Sequence, residues 1–239
     1  MSLVVIGLLV SGILLGKDLI ESARIRSQIT QYTIAYNTFR EKYACIPGDC
    51  ADYKSIFPEI NTLSYGYSGS TAASGNGIIE NGYGNNAVLT LFDFTNTEVG
   101  AFFAELSLAN LTPSYFTQSS ELNVGYPASV ISPDMGFIVA GSSVYFGYSG
   151  VKTSDWNNAW FFVMVDPASK IYWDGQVGSG IITSEKMKAI DDKTDDGLPL
   201  TGNVRAANQI SGSMGLCENS GQYFLSNTGR SCIFAVKID

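Results

Sequence analysis

Ser2-Leu3-Val4-Val5-Ile6-Gly7-Leu8-Leu9-Val10-Ser11-Gly12-Ile13-Leu14-Leu15-Gly16 carries no charge, and it runs without a proline into the polar, helix-favouring stretch from Lys17 to Tyr43. In that second stretch Ile25, Ile29, Tyr32, Tyr36, Phe39 and Tyr43 recur at spacings of 4, 3, 4, 3 and 4. This is one stripe of a helix. Arg24, Arg26, Gln28, Gln31, Asn37 and Glu41 fall off the stripe. Pro47 and Gly48 stop the element. The pattern predicts one continuous helix over 1–43, a rod of roughly 65 Å at 1.5 Å per residue. That is about twice the hydrocarbon thickness of a bilayer. The first half suits lipid or a bundle of like helices, and the second half suits the surface of a folded domain.

Three simpler readings compete. A core helix of a soluble protein is rarely this long with an amphipathic continuation. A cleaved signal peptide has an apolar run of this length, but no Lys or Arg precedes this one and no small-x-small site comes after it before the charged stretch. A plain membrane anchor needs about 20 apolar residues. Lys17, Arg24 and Arg26 on the C-terminal side also favour the wrong orientation for an exported domain. Both objections to an anchor vanish if residues precede Met1.

The segment from Ser2 to Leu9 resembles the apolar helix that mature type IV pilins and type II secretion pseudopilins carry directly after their Phe-Thr-Leu-Ile-Glu start. Lys17-Asp18-Leu19-Ile20-Glu21-Ser22-Ala23-Arg24 resembles the exit of their helix. Tyr43 to Asp49 is similar to the Tyr-Gly-x-x-Pro-Gly-Asp of one pilin-like group, and the likeness recurs at Ile190 to Pro199 and at Gly202-Asn203-Val204. The family's basic leader, cleavage site and glutamate are not in this sequence, which implies a piece of a longer chain or a start codon placed too late. The resemblance implies a pilin-like α+β fold: a long N-terminal helix over 1–43 packed on an antiparallel sheet with short extra helices, in a head domain over 44–239. It also implies a bacterial inner-membrane subunit with its head in the periplasm. Such a subunit partners other pilin subunits and an assembly machinery, and ends in an extracellular or periplasmic filament. It implies that the C-terminal cysteine-bounded loop is a variable surface that meets partners.

Composition bounds the alternatives. The length suits one long helix plus one domain. Residues 1–43 hold five Lys or Arg against three Asp or Glu, and the remainder holds nine against nineteen, so net charges of +2 and −10 make up the chain's −8. An acidic domain gives no nucleic-acid surface, which needs basic patches. No histidine is present. That removes Ser-His-Asp and Cys-His nucleophiles, imidazole bases and most zinc sites, and no enzyme activity is expected. Cys45 and Cys50 flank the turn Ile46-Pro47-Gly48-Asp49, and Cys217 and Cys232 flank a Gly-, Ser- and Asn-rich loop. Their even number, without a CxxC, reads as two disulfides in an oxidising compartment. Four reduced core cysteines are the alternative.

Further along, 51–57 is expected to pack back on the first helix. Residues 61–84, with Asn76-Gly77 and Asn81-Gly82, read as a long turn-rich connector. Thr95-Asn96-Thr97-Glu98 reads as a capping box for a helix over 96–109. Strands are expected over 136–149 and 159–175, with Trp160–Val165 central and Ile171-Tyr172-Trp173 its hairpin partner. Thr183 or Ser184 caps a short helix to Ile190, and 233–238 is the last strand.

Asp191, Asp192, Asp195 and Asp196 form the one dense carboxylate cluster. Oxygen-rich loops bind Ca²⁺, and calcium in this general region is also what the pseudopilin resemblance implies. A calcium loop starting at Asp192 puts Asp192, Thr194, Asp196 and Gly197 at positions one, three, five and six, but Leu200 and Asn203 occupy positions nine and twelve. The bland reading is a solvated Asp-Gly-Pro turn whose aspartates accept backbone amides. No other cofactor is expected. Gly12 and Gly16 make a GxxxG spacing that lets helices approach closely. Ile25, Ile29, Tyr32, Tyr36 and Phe39 read as the face that docks on the head. The chain is therefore expected to be a structural subunit of a type IV pilus-like filament. A type II secretion pseudopilin is the alternative within that class. A membrane-anchored extracytoplasmic binding module is the alternative from another, and a secreted enzyme ranks below both.

Overall fold

One unbroken helix, α1, runs from Ser2 to Tyr43 over 42 residues. It has no internal proline, and it ends where Ala44 turns to a positive φ ahead of Pro47. The computed structural model of the chain describes residues 2–58, 75–77, 79, 97–119, 121–130, 132–141, 160–165, 180–208 and 216–238. The side chains of 2–15 and 17–19 lie outside the described residues, and with them the apolar run expected to meet lipid. Among the described residues no helix is long and apolar enough to cross a membrane.

The architecture is α+β, with helices on an antiparallel sheet. The helices after α1 are α2 (Tyr53–Ile56), α3 (Glu98–Leu108) and α4 (Ser184–Thr194). The strands are β1 (Ala128–Ser129), β2 (Ser132–Gly141), β3 (Trp160–Val165), β4 (Ile182–Thr183), β5 (Val204–Asn208) and β8 (Arg230–Lys237). They pair in the order β1-β2-β3-β8-β4, with β5 also on β8. Val236 pairs with both Phe162 and Val204, so β3 and β5 lie on opposite sides of β8. A separate two-stranded hairpin joins β6 (Glu218–Asn219) to β7 (Gln222–Tyr223). Ile233, Phe234, Ala235 and Val236 are all buried, so β8 is covered on both faces and forms the centre of the head.

Several local expectations shift in detail. The cap of α3 is Thr97, whose hydroxyl accepts from the Gly100 amide at 3.1 Å, and Thr95 lies outside the described residues. Thr183 caps α4, and that helix runs four residues past Ile190. Strand β2 starts at Ser132 rather than 136, and 142–149 lies outside the described residues. The flanking partners of β3 are β2 and β8, and Ile171–Trp173 lies outside the described residues. The connector 61–84 does too, except for 75–77 and Ile79.

The stripe on α1 is the helix's buried face: Ile25, Tyr36 and Phe39 are fully buried, and Ile29 and Tyr32 nearly so. It meets α3 ring against ring. Tyr32 sits edge-on to Phe103 at 5.3 Å between centroids, Tyr36 stacks on Phe102 at 6.3 Å, and Phe102 is edge-on to Phe103 at 5.1 Å. Phe57, just past α2, packs on Phe39 and Tyr43, so the 51–57 segment does fold back on α1. Two other ties hold α1. The Gln28 amide donates to the Ala128 carbonyl at 2.6 Å and accepts from the Val130 amide at 3.0 Å, fastening the helix to β1. Lys186 of α4 pairs with Glu21 at 2.8 Å. One hydrophobic core takes in α1 from Ile25 onward together with α3 and the sheet.

Truncating Phe102 or Phe103 to Ala removes a fully buried ring from this seam. Each is expected to cost about 3–5 kcal/mol in urea unfolding; a loss below about 1 kcal/mol, the level of an ordinary surface change, would show that the seam does not hold the helix. The Tyr32 hydroxyl gives a second handle. Burial pushes its pKa from 10.0 up to about 12. The fold thus favours the neutral phenol, and this stabilisation is complete below pH 10 and lost as pH climbs through 12. A difference titration by ultraviolet absorbance against Tyr32→Phe should show one tyrosine ionising near the upper value; an ordinary tyrosine curve would contradict the buried placement.

Candidate functional site

The acidic turn is built by the end of α4 and the loop that leads to β5. Because α4 runs to Thr194, Asp191 and Asp192 stand on its last turn and not in a loop. They are adjacent on a helix, so they point in different directions. Asp192 faces out and pairs with Lys188 one turn back at 2.6 Å. Asp191 faces in and is fully buried. Its Oδ2 accepts the Tyr223 hydroxyl at 2.7 Å, and its Oδ1 has no hydrogen-bond donor among the described residues.

The turn then curls back under Asp191. Asp195 Oδ2 accepts from the amides of Asn203 and of Val204, the latter at 2.9 Å, where β5 begins. Asp196 accepts from the Leu198 amide at 2.9 Å and the Thr201 hydroxyl at 2.6 Å. These bonds are the Asx-turn chemistry expected of Asp-Gly-Pro segments. The curl is tight enough to require glycine twice: Gly197 and Gly202 have φ of +74° and +71°, and a Cβ on either would overlap the carboxylates of Asp192 and Asp195 respectively. Three of the four predicted acids converge, with one oxygen each from Asp191, Asp195 and Asp196 within 4.8 Å of one another. The fourth, Asp192, is drawn outward by Lys188.

Burial pushes the Asp191 carboxyl up to about 6. The Tyr223 hydroxyl and the nearby Gly197 N–H act against that shift, and the Asp196 and Asp195 charges add to it. Burial, and then the Asp191 charge, drive the Tyr223 hydroxyl well above its ordinary value, so it remains a donor. Tyr223 has no sequence signal: it lies 32 residues from Asp191 and reaches it only through the β6–β7 hairpin.

Both disulfides are formed, Cys45–Cys50 and Cys217–Cys232. The second closes over a sequence separation of 15 and encloses the hairpin that carries Tyr223. A loop of that length is worth roughly 3 kcal/mol in the chain-entropy account. On α1, Gly16 has open space around it, with nothing within 4 Å of where a Cβ would stand. The surroundings of Gly12 lie outside the described residues. Ile20 and Ile34 are exposed, so the face of α1 opposite the head offers apolar side chains to solvent.

The chain matches no known family model, no curated protein and no solved structure. Its function is read from its own residues.

Tyr223→Phe deletes the 2.7 Å hydrogen bond to the buried Asp191 carboxyl while preserving the ring. It is expected to cost about 1–3 kcal/mol in chemical unfolding. A neutral result would mean that the Asp191 carboxyl is satisfied from another direction.

Proposed function

We propose that this chain is a structural subunit of a type IV pilus-like filament. The apolar half of α1 holds the subunit in the inner membrane before assembly and later packs with the same segment of other subunits in the filament core. The head stays outside the cytoplasm, and energy comes from an assembly machinery rather than from this chain. The observation that carries the reading is α1 itself: a single helix of 42 residues in which close packing on the head begins near Ser22. The first twenty residues would extend roughly 30 Å beyond that point, a length matched to a bilayer core. The resemblance of Ser2–Leu9, Lys17–Arg24, Tyr43–Asp49 and Ile190–Pro199 to the pilin family supports it, as do two disulfides that suit an oxidising compartment. Subunits that repeat one contact around a screw axis form an open helical filament.

The N-terminus of the protein in its source cells, read by mass spectrometry, tests this directly. A start upstream of Met1 with a methylated residue and an Ile-Glu type pentapeptide is expected, together with recovery of the protein in sheared filaments. A processed N-terminus without sheared filaments would favour a type II secretion pseudopilin. An unprocessed chain beginning at Met1 would overturn the filament reading and favour a membrane-anchored binding module.

A further inference from the structure

A cleft of about 1060 Å³ runs along α1 beside its buried stripe. Ser27, Thr30 and Gln31 line it from one side of the helix, and Leu111 and Lys193 reach it from the head. Its lining includes two cations, Arg26 and Lys193, several hydroxyls and one amide, and no Asp or Glu. The chain as a whole carries a net charge of −8, so a wall with cations and without a carboxylate is not an average sample of this surface.

The two cations are neighbours. The Arg26 guanidinium donates to the Lys193 carbonyl at 3.3 Å, and the Lys193 ammonium donates to the Ser22 hydroxyl at 3.4 Å. Neither has a carboxylate partner among the described residues. The acids close by in sequence are engaged elsewhere: Glu21 pairs with Lys186, Asp192 pairs with Lys188, and Asp191 takes the Tyr223 hydroxyl. Asp195 and Asp196 accept from the turn that leads to β5. Lys193 stands on the last turn of α4. The end of that helix offsets about half an elementary charge, against two full positive charges. Like charges held side by side repel unless an anion lies between them.

We propose that this end of the cleft binds the phosphate group of an anionic organic phosphate, held by Arg26 and Lys193. A guanidinium fork beside an ammonium point charge is the donor set that suits phosphate oxygens. Thr30 lies one turn from Arg26 along α1, so its hydroxyl and that of Ser27 stand within range of the remaining oxygens. The cleft is as large as the upper end of small-molecule sites, about 300–1,000 Å³. It therefore has room for the body of the ligand, to which Ala35 and Leu111 offer apolar surface. Two sources carry such a group, a free phosphate compound and the headgroup of an anionic lipid. The assignment stands on the cleft and does not depend on the filament reading.

The test uses the full chain in neutral detergent, followed by thermal unfolding and calorimetry as sodium phosphate is added, with sodium chloride at matched ionic strength as the reference. Phosphate should raise Tm where chloride does not, with Kd on the order of 1 mM, the strength that two charge-assisted contacts supply. Arg26→Gln and Lys193→Gln, both at exposed positions, should each weaken binding by about tenfold or more. Arg24→Gln, a cation of α1 outside the cleft, should leave it unchanged. Micelles doped with phosphatidylglycerol or with phosphatidylcholine separate the two sources. Retention selective for phosphatidylglycerol, lost when Arg26→Gln and Lys193→Gln are combined, assigns a lipid headgroup. Phosphate binding with equal retention of both lipids assigns a free phosphate compound. No rise in Tm at roughly ten times that Kd, together with no selective lipid retention, would overturn the assignment. So would a response that survives the combined variant or that chloride reproduces.

Discussion

The seam between α1 and α3 is the contact on which the rest of the structure depends. A helix is held by its packed face more than by its intrinsic propensity, and the packed face of α1 is almost wholly aromatic at its centre. Tyr32 and Tyr36 meet Phe103 and Phe102, and Phe116 closes over Phe103 from outside. Aromatic pairs in edge-on or offset geometry add about 0.5–1.5 kcal/mol each beyond the area they bury. Rings also have few rotatable bonds, so the interface is stiff. On the far side of α3, contacts with β2 carry the seam into the sheet, and Gln28 makes a second, polar attachment to β1. The helix is therefore fixed in rotation as well as in position.

An acidic head with a large core has to dispose of the carboxylates its core encloses. Asp49, Glu105 and Asp191 are all buried. Asp49 sits in the turn closed by Cys45–Cys50 and accepts the amides of Gly75 at 2.8 Å and Gly77 at 2.7 Å. It thereby ties residues distant in sequence to the foot of α1. Glu105 of α3 accepts the Gly48 amide at 2.8 Å. Both use glycine-rich backbone as the donor, which lets an amide approach without a side chain in the way. Burial still raises the Asp49 carboxyl, with the Gly77 and Gly75 amides opposing it. Asp191 differs because its short hydrogen bond comes from a phenol, and among the described residues its Oδ1 has no hydrogen-bond partner.

How much of this the sequence discloses depends on the range of the interactions. The stripe on α1 and the aromatic face of α3 repeat at helical spacing, so both helices are legible, and short spacing across Pro-Gly makes Cys45–Cys50 legible too. The α3 cap is displaced because Thr97 bonds the Gly100 amide, and no acidic residue at that spacing completes a box. Helix α4 overruns its expected end because Lys188 and Asp192 pair one turn apart, which a count of helix-breaking residues overlooks. Strand β5 is hidden because Val204 to Ala207 are buried on both faces and show no alternation. Pro133 hides the start of β2: it lies ahead of the six residues that pair with β3. The acid cluster is visible in the sequence, but its division is not. Which aspartate turns inward depends on helix phase, and the partner Tyr223 depends on a hairpin closed by a distant disulfide.

The continuity of α1 couples the seam to whatever the N-terminal half meets. An α-helix with no internal proline has no proline kink, and a continuous helix transmits a tilt along its length. Across the first twenty residues, roughly 30 Å, a few degrees of tilt at Tyr32 or Tyr36 becomes a displacement of a few ångströms at the far end. A loose aliphatic interface would spread that orientation over many values, and a set of interlocked rings with a polar clamp at Gln28 restricts it. The same residues that stabilise the head thus decide where the helix points. In an assembly built by repeating one contact, a small angular spread per subunit accumulates with every added copy. If the proposed filament forms, stiffness at the seam serves its assembly as well as the folding of the head.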